Sequence, residues 1–101
     1  MQPEMMAHGE FRTEYASRYL QQLCKHFAHK VEVQFDKADG TVAFPFGTAT
    51  LKANNDALIV VVTGQTDADL RQARRAIDSH LVTFAFREAF TTMTWGVTEA
   101  K

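Results

Sequence analysis

The feature that most constrains the fold is a series of short β-type segments joined by tight turns. Between residues 31 and 63, large apolar residues recur at about every second position, which is the period of a β-strand. Turn-type sequences at residues 37–40, 44–47 and 54–56 interrupt this pattern. Connections this short join antiparallel neighbours. We therefore expect four antiparallel strands in hairpin succession, with residues 57–63 as the most buried strand or as a subunit contact.

Helix-type segments lie on both sides of this series. Residues 16–27 carry apolar side chains at i, i+3, i+4, i+7, i+8 and i+11, which is one stripe of an amphipathic helix. A second stripe runs through residues 70–84, and Thr66 before it is a typical N-cap. Weaker patterns at residues 11–15 and 93–97 predict a first and a last strand.

These elements follow the order β-α-β-β-β-β-α-β. Two amphipathic helices need a sheet face on which to bury their stripes. The sequence therefore predicts an α+β, two-layer sandwich with a mostly antiparallel sheet of about five to six strands and two helices packed on one face.

Size and composition limit the class of protein. A chain of 101 residues has enough core for one domain; we expect it at residues 10–98, after a loose N-terminal tail at residues 1–9. A formal net charge of −1, without a basic stripe interleaved with aromatic residues, argues against nucleic-acid binding. No apolar run approaches the roughly 20 residues of a membrane-spanning helix. The N-terminus lacks signal-peptide features, and one cysteine cannot form an internal disulfide, so we expect a cytoplasmic protein.

The segment Leu23–Lys30 concentrates residues that often carry chemistry, since it holds the only cysteine and two of the four histidines. At about 100° per residue on a helix, His26 and His29 lie about 60° apart, whereas Cys24 lies about 160° from His26. These three side chains cannot converge on one ion. Cys24 belongs to the apolar stripe, and we expect it to be buried and unreactive.

The basic residues of this segment allow two interpretations. In the simpler one, cationic side chains interact with the negative end of the helix dipole. In the functional one, residues 16–30, which contain no acidic residue, bind a small anionic ligand or an acidic protein partner together with the end of the second helix. The candidate ligand-binding residues are Arg18, Lys25, His26, His29, Lys30, His80 and Arg87.

A metal site is the alternative for the histidines. His80 lies beside the apolar stripe of the second helix, where a half-buried boundary position is the simpler interpretation. If the two helices pack side by side, it becomes a possible third metal ligand, with His26 and His29 as the other two. Arg87 and Glu88 are expected to form a local cap or ion pair at the end of the second helix.

Three aromatic residues on the predicted strands are the last candidates for a binding surface, and the sequence contains no known enzyme motif. Phe44, Phe46 and Trp95 are expected in the core, or as a ligand floor or contact surface if they form an exposed cluster. The sequence has no glycine-rich phosphate loop, HExxH, GxSxG or CxxC motif. Nothing in it therefore indicates catalysis or identifies a cofactor.

Several short strings together resemble a known family of small bacterial proteins, the domain of unknown function numbered 2218. The strings are SRYL at 17–20, QLCKHF at 22–27, HK at 29–30, FPFG at 44–47, HL at 80–81 and FAFRE at 84–88. The resemblance extends over residues 11–95 and implies no particular activity. Because some relatives are associated with siderophore-interacting proteins, it implies a setting in iron uptake, by association only.

The function expected from these observations is a non-enzymatic binding module for a small ligand or a partner. The alternatives are a metal-binding or redox-linked protein that uses His26, His29 and His80, and a structural subunit that forms a homodimer through an uncovered sheet face. The choice between them depends on whether His80 and Arg87 lie next to the end of the first helix.

Overall fold

The computed structural model describes the backbone of residues 5–99 and the side chains of residues 5–96. Two α-helices lie on one face of a six-stranded antiparallel sheet, so the predicted α+β, two-layer sandwich is confirmed. The predicted order of elements is also confirmed, with one short 3-10 helix added at Phe86–Glu88. The elements are β1 (Met5–Arg12), α1 (Ala16–Phe27), β2 (Glu32–Phe35), β3 (Asp39–Phe44), β4 (Gly47–Ala53), β5 (Ala57–Gly64), α2 (Asp67–Phe84) and β6 (Thr94–Glu99).

The strands follow the order β2-β3-β4-β5-β1-β6 across the sheet. The four middle strands form successive hairpins, as their turn sequences predict. The turn between β3 and β4 contains Pro45, which needs no ladder donor there. The next turn is held by Asn54, whose Oδ1 accepts hydrogen bonds of 2.8 Å from the backbone N–H groups of Asp56 and Ala57.

Strand β1 begins earlier than the sequence predicts. Met5 to Gly9 pair with both β5 and β6. The prediction of a loose tail is therefore wrong for residues 5–9, and residues 1–4 lie outside the described residues. The central inward positions of β1 are Ala7 and Gly9, and the Trp95 ring lies over Gly9. A strand with such small inward residues shows no apolar alternation.

The core lies between the sheet and the two helices. Every residue of the predicted α1 stripe is buried, including Cys24. The α2 stripe is buried from Leu70 to Leu81, and Phe84 is half-buried at the end of the helix. The N-cap prediction for α2 is confirmed, since Thr66 Oγ1 accepts a hydrogen bond of 3.1 Å from the backbone N–H of Asp69.

Strand β5 is the most buried strand, as predicted. Its residues Leu58, Val60 and Val62 face the helices and are fully buried. On the opposite face, Ile59 and Val61 are half-buried between the neighbouring strands. Within residues 5–99, no helix is long and apolar enough to cross a membrane.

Candidate functional site

The ends of the two helices meet at one edge of the molecule. His26, in the last turn of α1, and His80, near the end of α2, have ring centroids 4.4 Å apart. Phe27 lies against the same pair, with its centroid 4.9 Å from that of His80. The two helices therefore pack side by side, and they bring together two histidines that are distant in sequence.

A cleft of about 360 Å³ opens beside these histidines. We call it the histidine cleft; it is lined by His26, Phe27, Lys30, Val31, Phe44, Pro45, Phe46 and His80. Its wall opposite the helices is the turn between β3 and β4, which carries the FPFG sequence.

Aromatic rings form the floor of the histidine cleft. Phe44 and Phe46 are stacked, with centroids 5.0 Å apart and an interplanar angle of 11°. Phe27 meets Phe44 edge to face at a centroid distance of 5.0 Å and an angle of 81°. Both Phe44 and Phe46 are half-buried, so the rings of this cluster are partly open to solvent, whereas Trp95 does not line this cleft.

The tautomer of His80 follows from its hydrogen bond. Its Nδ1 lies 2.6 Å from the carbonyl oxygen of Ala76, and a carbonyl oxygen can only accept a hydrogen bond. In the neutral ring, the proton therefore resides on Nδ1, and Nε2 has a free lone pair. His80 can accept a hydrogen bond through Nε2, or donate one there once the ring is protonated.

The charge state of His26 is set by its surroundings. Loss of hydration lowers the pKa of His26, and the positive charges of His80, Lys30 and His29 lower it further. The lowered pKa favours the neutral form of His26, and Lys30 is the basic residue that lines the cleft beside it. An anionic ligand would reverse this effect, because its negative charge stabilises the protonated ring.

Three of the seven candidate residues from the sequence line the histidine cleft, namely His26, Lys30 and His80. The other four lie elsewhere. The Arg18 guanidinium lies over the Tyr15 ring at 5.5 Å, and that of Arg87 lies over the Phe86 ring at 5.6 Å. Lys25 and His29 are exposed residues of the α1 end that do not line the cleft.

The three-histidine metal site is not formed. Among the residues that the structure describes, no group of three His, Cys, Asp or Glu side chains could hold a metal ion. His26 and His80 are adjacent, but two imidazoles supply only half of a tetrahedral zinc site. Cys24 is fully buried, as expected, and burial raises the pKa of its thiol to about 11, so it is an unreactive core residue.

Glu88 has a structural role that the sequence does not reveal. Its carboxylate accepts hydrogen bonds from the Tyr19 hydroxyl and, at 3.0 Å, from Thr13 Oγ1, so it is not a local cap or ion pair with Arg87. It joins the 3-10 helix to α1 and to the end of β1. Burial, together with this carboxylate, raises the pKa of Tyr19 to about 12.

Sequence reasoning also missed part of the cleft wall. Phe27, Val31 and Pro45 line the cleft, although Phe27 was expected only as a core residue. The FPFG string contained a signal for this wall, because a proline turn with flanking aromatic residues leaves rings near the surface.

Fold and site together define a small α+β protein that has two helices on an open antiparallel sheet and an aromatic cleft at the helix ends. The chain belongs to the bacterial family described as "Uncharacterized protein conserved in bacteria (DUF2218)", whose model matches residues 8–96. The NMR structure of PA4090 from Pseudomonas aeruginosa is similar, with a TM-score of 0.71, 26% sequence identity and 98% of each chain covered. The comparison with curated proteins gives no match.

Proposed function

We propose that this protein is a non-enzymatic binding module whose histidine cleft holds a small organic anion with a planar, apolar part. The observation that carries the proposal is the His26–His80 pair next to the stacked rings of Phe44 and Phe46. Such a site combines an apolar surface with groups that recognise negative charge. The class of ligand is that of aromatic carboxylates and catecholates.

The size and lining of the cleft support a small ligand. Its volume of about 360 Å³ lies at the lower end of the range that ligand sites occupy, roughly 300–1,000 Å³. An aromatic ring placed against Phe44 or Phe46 would gain burial and favourable ring geometry, about 0.5–1.5 kcal/mol beyond the area term. The cleft therefore suits one ring with a short acidic substituent.

The charges of the cleft support an anion. Lys30 supplies a basic side chain, and a negative group placed beside His26 would favour the protonated form of its imidazole. An anionic ferric chelate is one member of this ligand class, and a cytoplasmic role in iron handling would suit the iron-uptake setting that the family resemblance implies.

The test is a titration of the protein with 2,3-dihydroxybenzoate, alone and as its ferric complex, followed by NMR shifts of the cleft residues. Neutral 2,3-dihydroxybenzamide is the matched ligand control. We expect His26→Ala and Lys30→Ala each to weaken binding by about tenfold, which is about 1.4 kcal/mol.

Matched variants exist on the same helix end. His29→Ala and Lys25→Ala remove the same side-chain types at exposed positions outside the cleft and should leave binding unchanged. If all four variants weaken binding equally, the basic helix end acts as a diffuse charge and the cleft is not the site. If neither acidic probe binds better than the neutral one, the proposed ligand class is wrong.

A dimerisation domain is the second candidate function. The observation that favours it is the uncovered sheet face, where Ile59 and Val61 are half-buried without a helix over them in the described part of the chain. Light scattering at micromolar concentration decides this alternative, because a monomer would eliminate it.

A further inference from the structure

A second groove, of about 460 Å³, runs along the other side of α2. Its lining includes Arg74, Arg75, Asp78, Val82, Thr92 and Trp95. We name it the arginine groove, and we propose that it binds an extended acidic segment of a partner protein. This site is separate from the histidine cleft and does not depend on the function proposed for that cleft.

The floor of the arginine groove is held by Asp78. Its carboxylate accepts hydrogen bonds from Thr92 Oγ1 at 2.7 Å, from the Met93 backbone N–H at 3.0 Å and from Trp95 Nε1 at 2.9 Å. The indole also lies on Gly9, where an added Cβ would come within 2.7 Å of the ring. The indole is therefore fixed before any partner arrives, which lowers the entropy cost of binding.

The wall on α2 carries unpaired positive charge. Arg71, Arg74 and Arg75 follow each other at i, i+3 and i+4, so they share one face of the helix. Arg71 forms an ion pair with Asp67. Among the described side chains, Arg74 and Arg75 form no such pair, and a guanidinium fork fits a carboxylate well.

The opposite end of the groove is apolar. Val82 is 44% exposed, and Trp95, which lines the same groove, is half-buried. From Arg75 to Val82 the helix rises by about 10 Å at 1.5 Å per residue. A small anion cannot reach both ends, whereas an extended peptide spans this distance in about three residues.

The distance between the arginines and Val82 therefore determines how acidic and apolar residues must be spaced in the partner segment. One or two carboxylates contact Arg74 and Arg75, and an apolar side chain about three residues away along the segment contacts Val82 and Trp95. Arginine and tryptophan are also the residues that most often dominate the binding energy of protein interfaces.

Trp95 is the only tryptophan, so its fluorescence reports directly on the arginine groove. The probe is the capped peptide Glu-Glu-Ser-Gly-Leu, with Gln-Gln-Ser-Gly-Leu as the neutral control and inorganic phosphate as the small-anion control. We expect a saturable fluorescence change with the acidic peptide and binding at least about tenfold weaker for the neutral one.

Two variants test the geometry. Arg75→Glu should weaken binding of the acidic peptide by more than about tenfold, and Val82→Ser should also weaken its binding. Arg87→Glu makes the same charge change at an exposed position outside the groove and should have no effect, and His26→Ala in the histidine cleft should have none either. Far-ultraviolet circular dichroism establishes that each variant is folded.

Three results would overturn the proposal. One is the absence of a saturable response to the acidic peptide at millimolar concentration. Another is a response to phosphate as strong as that to the peptide, which would indicate a small-anion site. The third is equal weakening by Arg75→Glu and Arg87→Glu, which would indicate unspecific attraction.

Discussion

Replacing Gly40 by alanine should destabilise the fold through one identifiable contact. Gly40 lies on β3 and faces α1, and a Cβ added there would lie 2.8 Å from Cys24 Sγ and 3.3 Å from Phe35 Cβ. Carbon and sulfur atoms in contact need more than 3.5 Å. Cys24 is fully buried, so its sulfur cannot move into solvent.

The cost follows from this overpacking. Inserting a methyl group into a packed core costs about 1–3 kcal/mol. For a domain of this size, each kcal/mol lowers the melting temperature by about 4–8 °C. Gly40→Ala should therefore lower the melting temperature by at least about 4 °C.

A double-mutant cycle measures how much of this cost comes from the contact with the sulfur of Cys24. Cys24→Ala alone should cost about 1 kcal/mol, because it removes one buried group of roughly methylene size. In that background Gly40→Ala should cost less than about 0.5 kcal/mol, which gives a coupling energy between about 0.5 and 3 kcal/mol. The assay is urea unfolding followed by Trp95 fluorescence, analysed by linear extrapolation.

Gly96→Ala is the matched control, because nothing lies within 4 Å of a Cβ added at that strand position. It should change the free energy of unfolding by less than about 0.5 kcal/mol. The reasoning is refuted if Gly40→Ala costs as much in the Cys24→Ala background as in the native protein. Phe35 or the backbone, and not the sulfur, would then be responsible.

Two further predictions concern pH. The pKa of Tyr19 is about 12 in the folded protein and about 10 in the unfolded chain, so the folded state holds this proton more tightly. The free energy of unfolding should therefore fall as the pH rises from about 10 to about 12. Urea unfolding should show that the Tyr19→Phe variant loses less stability than the native protein over that range. Equal losses in the two proteins would refute this explanation. The pKa of His26 lies below the usual histidine value of about 6.5. Dihydroxybenzoate should therefore bind more tightly as the pH falls through the pKa of His26, and its binding should raise the pKa of His26. An NMR titration of the imidazole with and without the probe measures this shift, and an unchanged His26 pKa would place the ligand elsewhere.

Local patterns were sufficient to predict most of this fold. The period of the apolar residues distinguishes the two helices from the strands, and the short turns leave only antiparallel pairing for β2 to β5. Strand β1 was placed wrongly because its inward residues Ala7 and Gly9 are small. The absence of a side chain at Gly9 is explained by Trp95, which lies far away in the sequence and next to Gly9 in the sheet.

The site was predictable only in part, for a similar reason. Helical angles on α1 were enough to separate Cys24 from the histidines. They could not show which side of α2 meets α1, and that contact decides that His80 joins His26. Arg18 and Arg87 were grouped with the histidines by charge, yet each lies over an aromatic ring close by in the sequence.

The place of β1 in the sheet has a consequence for the order of assembly. Its partners are β5 and β6, so β1 leaves the ribosome before either partner and cannot join the sheet until residues 57–64 have been synthesised. During that interval an apolar strand would be available to other nascent chains. The sequence Ala7-His8-Gly9-Glu10 is a poor template for such pairing, because it is small, polar and partly charged. The small and polar residues that Ala7 to Glu10 contribute to β1 thus also make this strand a poor template for pairing with another chain.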